Sequence, residues 1–146
     1  MRVRTGAGMG FILALSVLLS ACSGGTGKSG SGEPSGPSAG PSWRVITPVQ
    51  LHDMLATGDV YLVNVHVPFE GAIPGTDVFI PYTDIANELN TLPFGKQSVV
   101  IYCRSGNMST EAAQAMVAAG APSFSELGGG FYAWQDAGYP LETTHP

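Results

Sequence analysis

Cysteine is scarce. Cys22 and Cys103 are the only two in 146 residues. Cys22 falls in the leader described below, which leaves Cys103 as the single thiol of the folded part and excludes a framework of internal disulfides. No Cys-x-x-Cys pair exists, because position 106 is Gly, so thioredoxin-like redox chemistry is excluded too. Charge is also scarce, at 12% of residues, and only six basic side chains stand against eleven acidic ones. That balance argues against nucleic acid as a partner and against recruitment by anionic lipid headgroups. The three histidines, His52, His66 and His145, are scattered, without the cysteine or carboxylate spacing of a metal site. No cofactor or metal is expected. Long apolar runs are missing as well. The best of them, Phe11 to Leu19, is too short for a comfortable membrane span.

What that run does fit is a secretory signal over residues 1–21, with Arg2 and Arg4 as its positive start and small residues at its end. Leu19-Ser20-Ala21-Cys22 resembles a bacterial lipobox. By that resemblance Cys22 becomes the lipidated N-terminus of a protein anchored in the bacterial cell envelope. Residues 22–42 then form a tether of Gly, Ser and Pro with no apolar period, unable to bury a core and reaching roughly 25 Å on average. Loss of Arg2 and Arg4 leaves four basic residues against eleven acidic ones, a net −7. Attachment to a membrane is therefore expected from the lipid, not from charge. The folded domain is expected over residues 43–146.

Within it, strands alternate with helices. Thr47, Pro48 and Gln50 are a helix start with a capping box, Leu51, Met54 and Leu55 its buried stripe, and Gly58 its stop. Residues 60–65 read as a buried strand, 66–77 as a loop broken by Pro68, Pro74 and Gly75, and 78–80 as a short strand. Ile85, Leu89 and Leu92 mark a helix closed by Pro93. A strand over 98–102, a helix over 109–119 stopped by Gly120, a strand over 123–127 and a helix over 131–137 complete the domain. This order predicts an α/β fold with a parallel sheet covered on both faces.

The chemistry concentrates where the strand over 98–102 ends. In open parallel sheets ligands sit beyond the carboxyl ends of strands, where a loop meets a helix N-terminus. Cys103 is there, followed by Arg104-Ser105-Gly106-Asn107-Met108. A tight, Gly-containing loop entering a helix turns backbone N–H groups inward and makes an anion cradle. The helix dipole, those N–H groups and Arg104 favour a thiolate, and so a nucleophilic sulfur over a small-anion site. Glu111, in the first turn of the helix, subtracts from that positive field. The alternative is a buried strand-end cysteine with a purely structural role.

Two segments, VVIYCRSGNMS (residues 99–109) and ELGGGFYAWQDAGYP (residues 126–140), carry a resemblance to the single-domain rhodaneses, a sulfurtransferase family. It extends over most of residues 43–146. The resemblance implies a three-layer α/β domain around a five-stranded parallel sheet. It also implies that Cys103 attacks a sulfane sulfur, becomes a persulfide held by the loop of Arg104, Ser105, Gly106, Asn107 and Met108, and passes the sulfur to a thiol or cyanide acceptor. The partners are then a small sulfur-containing anion or a persulfide donor, and a thiol acceptor. The chain departs from the family pattern in three places. Asn64 and His66 replace the charged pair of Asp-Val-Arg. Ala72 and Thr76 alter Gly-His-Ile-Pro-Gly-Ala. Met108 stands where thiosulfate-using members often carry Arg, leaving Arg104 as the only basic side chain of the loop and making a bulkier or less charged donor the better fit.

Two further readings bear on the site. A phosphatase of related fold needs Cys-x5-Arg, and Ser109 occupies that sixth position, so that chemistry is excluded. A catalytically weak or inactive binding module of the same fold remains the alternative. His66 is expected to anchor the loop by a hydrogen bond rather than act as a base, Asn64 to bond loop backbone, and Trp43 and Trp134 to pack.

Overall fold

The sheet begins with a strand that residue periodicity does not reveal. In a computed structural model of the protein, residues 43–144 are described. The leader, Cys22, the tether and His145 lie outside the described residues. Trp43–Ile46 forms β1, paired in parallel with a strand far along the chain, Trp43 opposite Phe124 and Ile46 opposite Leu127. It is an edge strand, and Arg44 and Val45 stay exposed. Four residues with one buried end give no readable alternation.

Helix α1 (Pro48–Thr57) starts as its sequence dictates. The Thr47 Oγ1 accepts from the Gln50 N–H at 3.3 Å, and Gln50 Oε1 accepts from the Thr47 N–H at 2.8 Å. Gly58 closes the helix in the left-handed region. Next come β2 (Val60–Asn64), β3 (Val78–Phe79), β4 (Ser98–Tyr102), α2 (Asn107–Ala118), β5 (Phe124–Leu127) and α3 (Gly130–Asp136). The expected helix through Ile85, Leu89 and Leu92 is instead two single 3-10 turns, Ile85–Asn87 and Leu89–Thr91. Glu88 leaves helical geometry between them, and Asp84 supplies no side-chain cap. Asn87, Asn90 and Thr91 are weak helix formers, so two of the three apolar anchors, Ile85 and Leu92, are buried without a continuous helix.

All five strands are parallel, in the order β1-β5-β4-β2-β3. The alternating side chains of the sheet feed two cores. Leu62, Val100, Tyr102 and Leu127 meet Leu51, Phe131 and Trp134 under α1 and α3. Val63, Val99, Ile101 and Phe124 meet Ala112, Ala113, Met116 and the 3-10 turns on the other side. This is the three-layer, five-stranded parallel α/β domain that the resemblance implies. Because every strand runs the same way, their carboxyl ends form one rim, and Cys103 lies on it.

Candidate active site

Cys103 follows β4 directly and is buried, 1% exposed. Its Sγ accepts the Gly106 N–H at 3.1 Å and lies 3.4 Å from Ser109 Oγ. Gly106 makes this possible. At φ 101° it occupies a conformation that disfavours a side chain, and it is also the N-cap residue of α2. The loop therefore curls around the sulfur before the helix begins.

The tail segment holds the loop from behind. The N–H groups of Phe131 and Tyr132, in the first turn of α3, donate to the carbonyls of Cys103 and Arg104 at 2.9 and 3.0 Å. The chain can approach so closely only because residue 130 is glycine. A Cβ there would stand 2.2 Å from the Cys103 carbonyl oxygen. The two sequence segments that carry the family resemblance are thus hydrogen-bonded halves of one site.

A cavity of about 90 Å³ opens over the sulfur, lined by His66, Cys103, Arg104, Ser105, Asn107 and Met108. With Gly106 contributing its N–H, the whole predicted loop gathers there. The volume suits a group of a few heavy atoms. A larger hollow of about 490 Å³ lies at the opposite end of the sheet, beside Trp43, Ser98 and Phe124. No cysteine lines it and it sits at the amino ends of the strands, so the smaller cavity is the candidate site.

The charge around that cavity differs from the simple expectation for Arg104. The Arg104 guanidinium is bound by both oxygens of Glu70, at 2.6 and 2.9 Å, and lies over the Tyr132 ring, 5.7 Å from its centre. Its positive charge is therefore shared with a carboxylate. Glu70 also takes a hydrogen bond from His66 Nε2 at 2.7 Å. The carboxylate has no proton to give, so the Nε2–H must donate, which turns Nδ1 towards Met108 Sδ at 3.3 Å. The bond from His66, and after it the one from Arg104, holds the Glu70 carboxyl below its ordinary range. Glu70 therefore stays ionised below the pH at which a free glutamate protonates, and the bridge persists with it. Only the i, i+4 spacing of His66 and Glu70 could have indicated the pair in the sequence.

The remaining neighbours fix the loop before the site. Asn64 donates from Nδ2 to the Gly71 carbonyl at 3.0 Å, and its Oδ1 accepts the His66 N–H at 2.9 Å. His66 and Asn64 thus bond loop partners as their positions suggest. Tyr102, next to the cysteine, receives the Ile73 N–H and meets Thr76 Oγ1 at 2.6 Å. Burial pushes its phenol up to about 12. Trp134 packs, and its ring N–H donates to the Pro140 carbonyl. Trp43 does more than pack, because its ring N–H donates to the buried Glu126 carboxylate at 2.8 Å.

The rhodanese-like domain matches residues 47–137. The chain belongs to the rhodanese-like family. An uncharacterised protein of Synechocystis is 33% identical over 102 residues, which are 68% of this chain and 56% of that protein. The chain thus spans little more than half of that relative's length. Among solved structures, a rhodanese-related protein of Thermoplasma volcanium superposes with a TM-score of 0.58 at 23% identity, covering 69% of this chain and 99% of its own. A protein of Rhodopseudomonas palustris described as a possible tyrosine phosphatase superposes at 0.54, with 26% identity, covering 68% of this chain and 84% of its own. In this rhodanese-like domain the sixth residue after the cysteine is Ser109, fully buried and hydrogen-bonded. No arginine is available there to clamp a phosphate.

Proposed function

We propose that this rhodanese-like domain is a sulfurtransferase that carries sulfane sulfur on Cys103. The observation that carries the reading is the Gly106 N–H aimed at Cys103 Sγ beneath a small cavity at the carboxyl rim of the sheet. In the first half-reaction the Cys103 thiolate attacks the sulfane sulfur of a donor. The new S–S bond forms as the donor's bond to that sulfur breaks, and the departing group keeps the electron pair. In the second, a thiol or cyanide attacks the outer sulfur, and Cys103 leaves as thiolate. Loop N–H groups hold the persulfide's charge between the two steps. Mass spectrometry of the domain after exposure to sulfane-sulfur donors tests this. One added sulfur on Cys103 is expected, and no addition from any donor class sinks it.

Met108 lines the cavity beside His66, so it faces the donor. Glu70 already engages Arg104 and His66, and an arginine at 108 is left for the substrate. A charge-assisted hydrogen bond contributes about 1.5–3 kcal/mol. Met108→Arg is therefore expected to raise thiosulfate kcat/KM by about one to two powers of ten, mainly through KM. The gain should shrink with added salt. Unchanged or lower thiosulfate turnover in a folded variant would place donor recognition elsewhere.

The second reading, a binding module that keeps the fold without the chemistry, draws support from the Glu70–Arg104 pairing, which leaves the cavity no unpaired arginine. The same mass spectrum separates the two readings.

We place the domain on a membrane of the bacterial envelope through a lipid on Cys22. The lipobox-like Leu19-Ser20-Ala21-Cys22 and the Gly/Ser/Pro tether support this. Multiple acyl chains give stable anchoring where one gives only marginal binding. Cys22→Ala is expected to shift the protein from the membrane fraction to the soluble one. Retention on membranes after leader cleavage would refute the lipid.

A further inference from the structure

Behind the nucleophile lies a carboxylate that the sulfur chemistry above leaves unused. Glu126 on β5 is 2% exposed, in a chain whose other acidic side chains among the described residues escape burial. Its Oε1 accepts from Ser109 Oγ at 2.7 Å and Thr110 Oγ1 at 2.8 Å, and its Oε2 accepts from the Trp43 ring N–H. These are neutral donors. Among the described residues no Lys, Arg or His forms an ion pair with it. Arg44, on the adjoining strand, turns to Ser125, and Glu111 of α2 stays exposed. The only other titratable group in this hydrogen-bonded chain is Cys103, one residue away through Ser109.

We propose that Glu126 takes the Cys103 proton through Ser109, so that the thiolate forms without a second buried charge. The proposal rests on Cys103 as the nucleophile and adds the origin of its reactivity. In the resting arrangement the thiol donates to Ser109 Oγ, and the Ser109 hydroxyl donates to Glu126 Oε1. Transfer moves the thiol proton to Ser109 as the hydroxyl proton passes to Glu126. The carboxylate becomes a carboxylic acid, the thiol a thiolate, and the net charge of the cluster is unchanged. Each hydrogen bond survives with its direction reversed, and no heavy atom has to move. The Gly106 N–H then faces a full charge on sulfur. Loss of the proton to solvent would instead leave two negative groups buried on either side of one hydroxyl, which burial disfavours strongly. Ser109 is the relay, and Glu126 is a positioning residue for the proton.

A proton shared by two groups gives a distinctive pH profile. While the pair holds one proton, the thiolate fraction is set by where that proton sits and not by pH. Cys103 alkylation by iodoacetamide, a neutral reagent, is therefore expected to show a flat region around neutrality. In Glu126→Gln and in Ser109→Ala the rate should instead climb about tenfold per pH unit, as for an isolated thiol. At neutral pH it should fall by about a hundredfold, the low end of what a positioned base contributes. An amide at 126 sets its NH2 against the Trp43 ring N–H. Glu126→Gln is therefore also made in a Trp43→Phe background and compared with Trp43→Phe alone. A wild-type profile without the flat region overturns the proposal. So does faster alkylation in Glu126→Gln, which would make Glu126 a repelling charge only, and so does a flat region that survives in Ser109→Ala. Alkylation reads the thiol alone, so a failure of Cys103 to accept sulfane sulfur leaves this test standing.

Discussion

Cys103→Ser is expected to abolish sulfur loading while leaving the fold in place. The change is nearly isosteric. A serine oxygen at 103 can still accept the Gly106 N–H and still meet Ser109, so no buried polar group loses its partner. What disappears is the polarizable sulfur, and a serine hydroxyl, far less acidic than a thiol, does not replace it as a nucleophile. Transfer from any sulfane-sulfur donor should fall by about a thousandfold or more, as when an enzyme loses its nucleophile. Thermal unfolding should stay near that of the natural protein. Retained sulfur transfer in the variant would remove Cys103 from the chemistry. A collapsed melting transition would instead mark it as a structural cysteine of the core, the role that its burial also permits.

Gly130→Ala is expected to damage stability and site together. At φ 59° the residue is left-handed, which costs an L side chain roughly 1–2 kcal/mol. The added methyl also meets the Cys103 carbonyl oxygen at 2.2 Å and the Arg104 carbonyl at 2.6 Å. Both are backbone atoms of the cysteine loop, so relief requires α3 to withdraw, at about 1–3 kcal/mol for overpacking. The total, about 2–5 kcal/mol, is a large part of a typical domain's stability. Withdrawal would also break the Phe131 and Tyr132 N–H bonds to Cys103 and Arg104. Urea unfolding should show the loss, and Cys103 should alkylate at a changed rate even where the variant remains folded. Stability within about 0.5 kcal/mol of the natural protein would mean that α3 is not seated on the loop as described.

These expectations separate what is local in the chain from what is not. The cysteine loop was legible because strand, loop and helix follow one another within a dozen residues. An apolar run, a cysteine, a Gly-containing turn and an Ala-rich helix state their own order. The capping box at Thr47 was legible for the same reason. Its partners are three residues apart, and the structure makes both bonds. The parallel sheet followed from the alternation of strands and helices, and its fifth strand from the family resemblance alone. The 3-10 turns were misread because apolar spacing at 85, 89 and 92 is satisfied equally by one helix or by two separate turns. The choice there lay with weak helix formers and a missing cap.

The charges of the site could not be read that way. Arg104 appears in the sequence as a free cation beside a nucleophile. In the fold it is held by Glu70, thirty-four positions earlier, on a loop that the Asn64 side chain ties to the end of β2. Trp43 appears as packing and Glu126 as an unremarked acid in the tail. They meet because β1 pairs with β5 in one particular register, Trp43 opposite Phe124. Ser109 was notable only for not being arginine, yet it stands between Cys103 and Glu126. The sequence by itself determined the fold class and the place of Cys103 between a strand end and a Gly-containing turn into a helix, since each depends on residues that are neighbours along the chain. Only the tertiary structure decided which charges reach the sulfur. A buried carboxylate or a paired guanidinium is defined by hydrogen bonds to loops, helices and strands far along the chain, and only their packing in the fold sets those partners, at distances that no local pattern records.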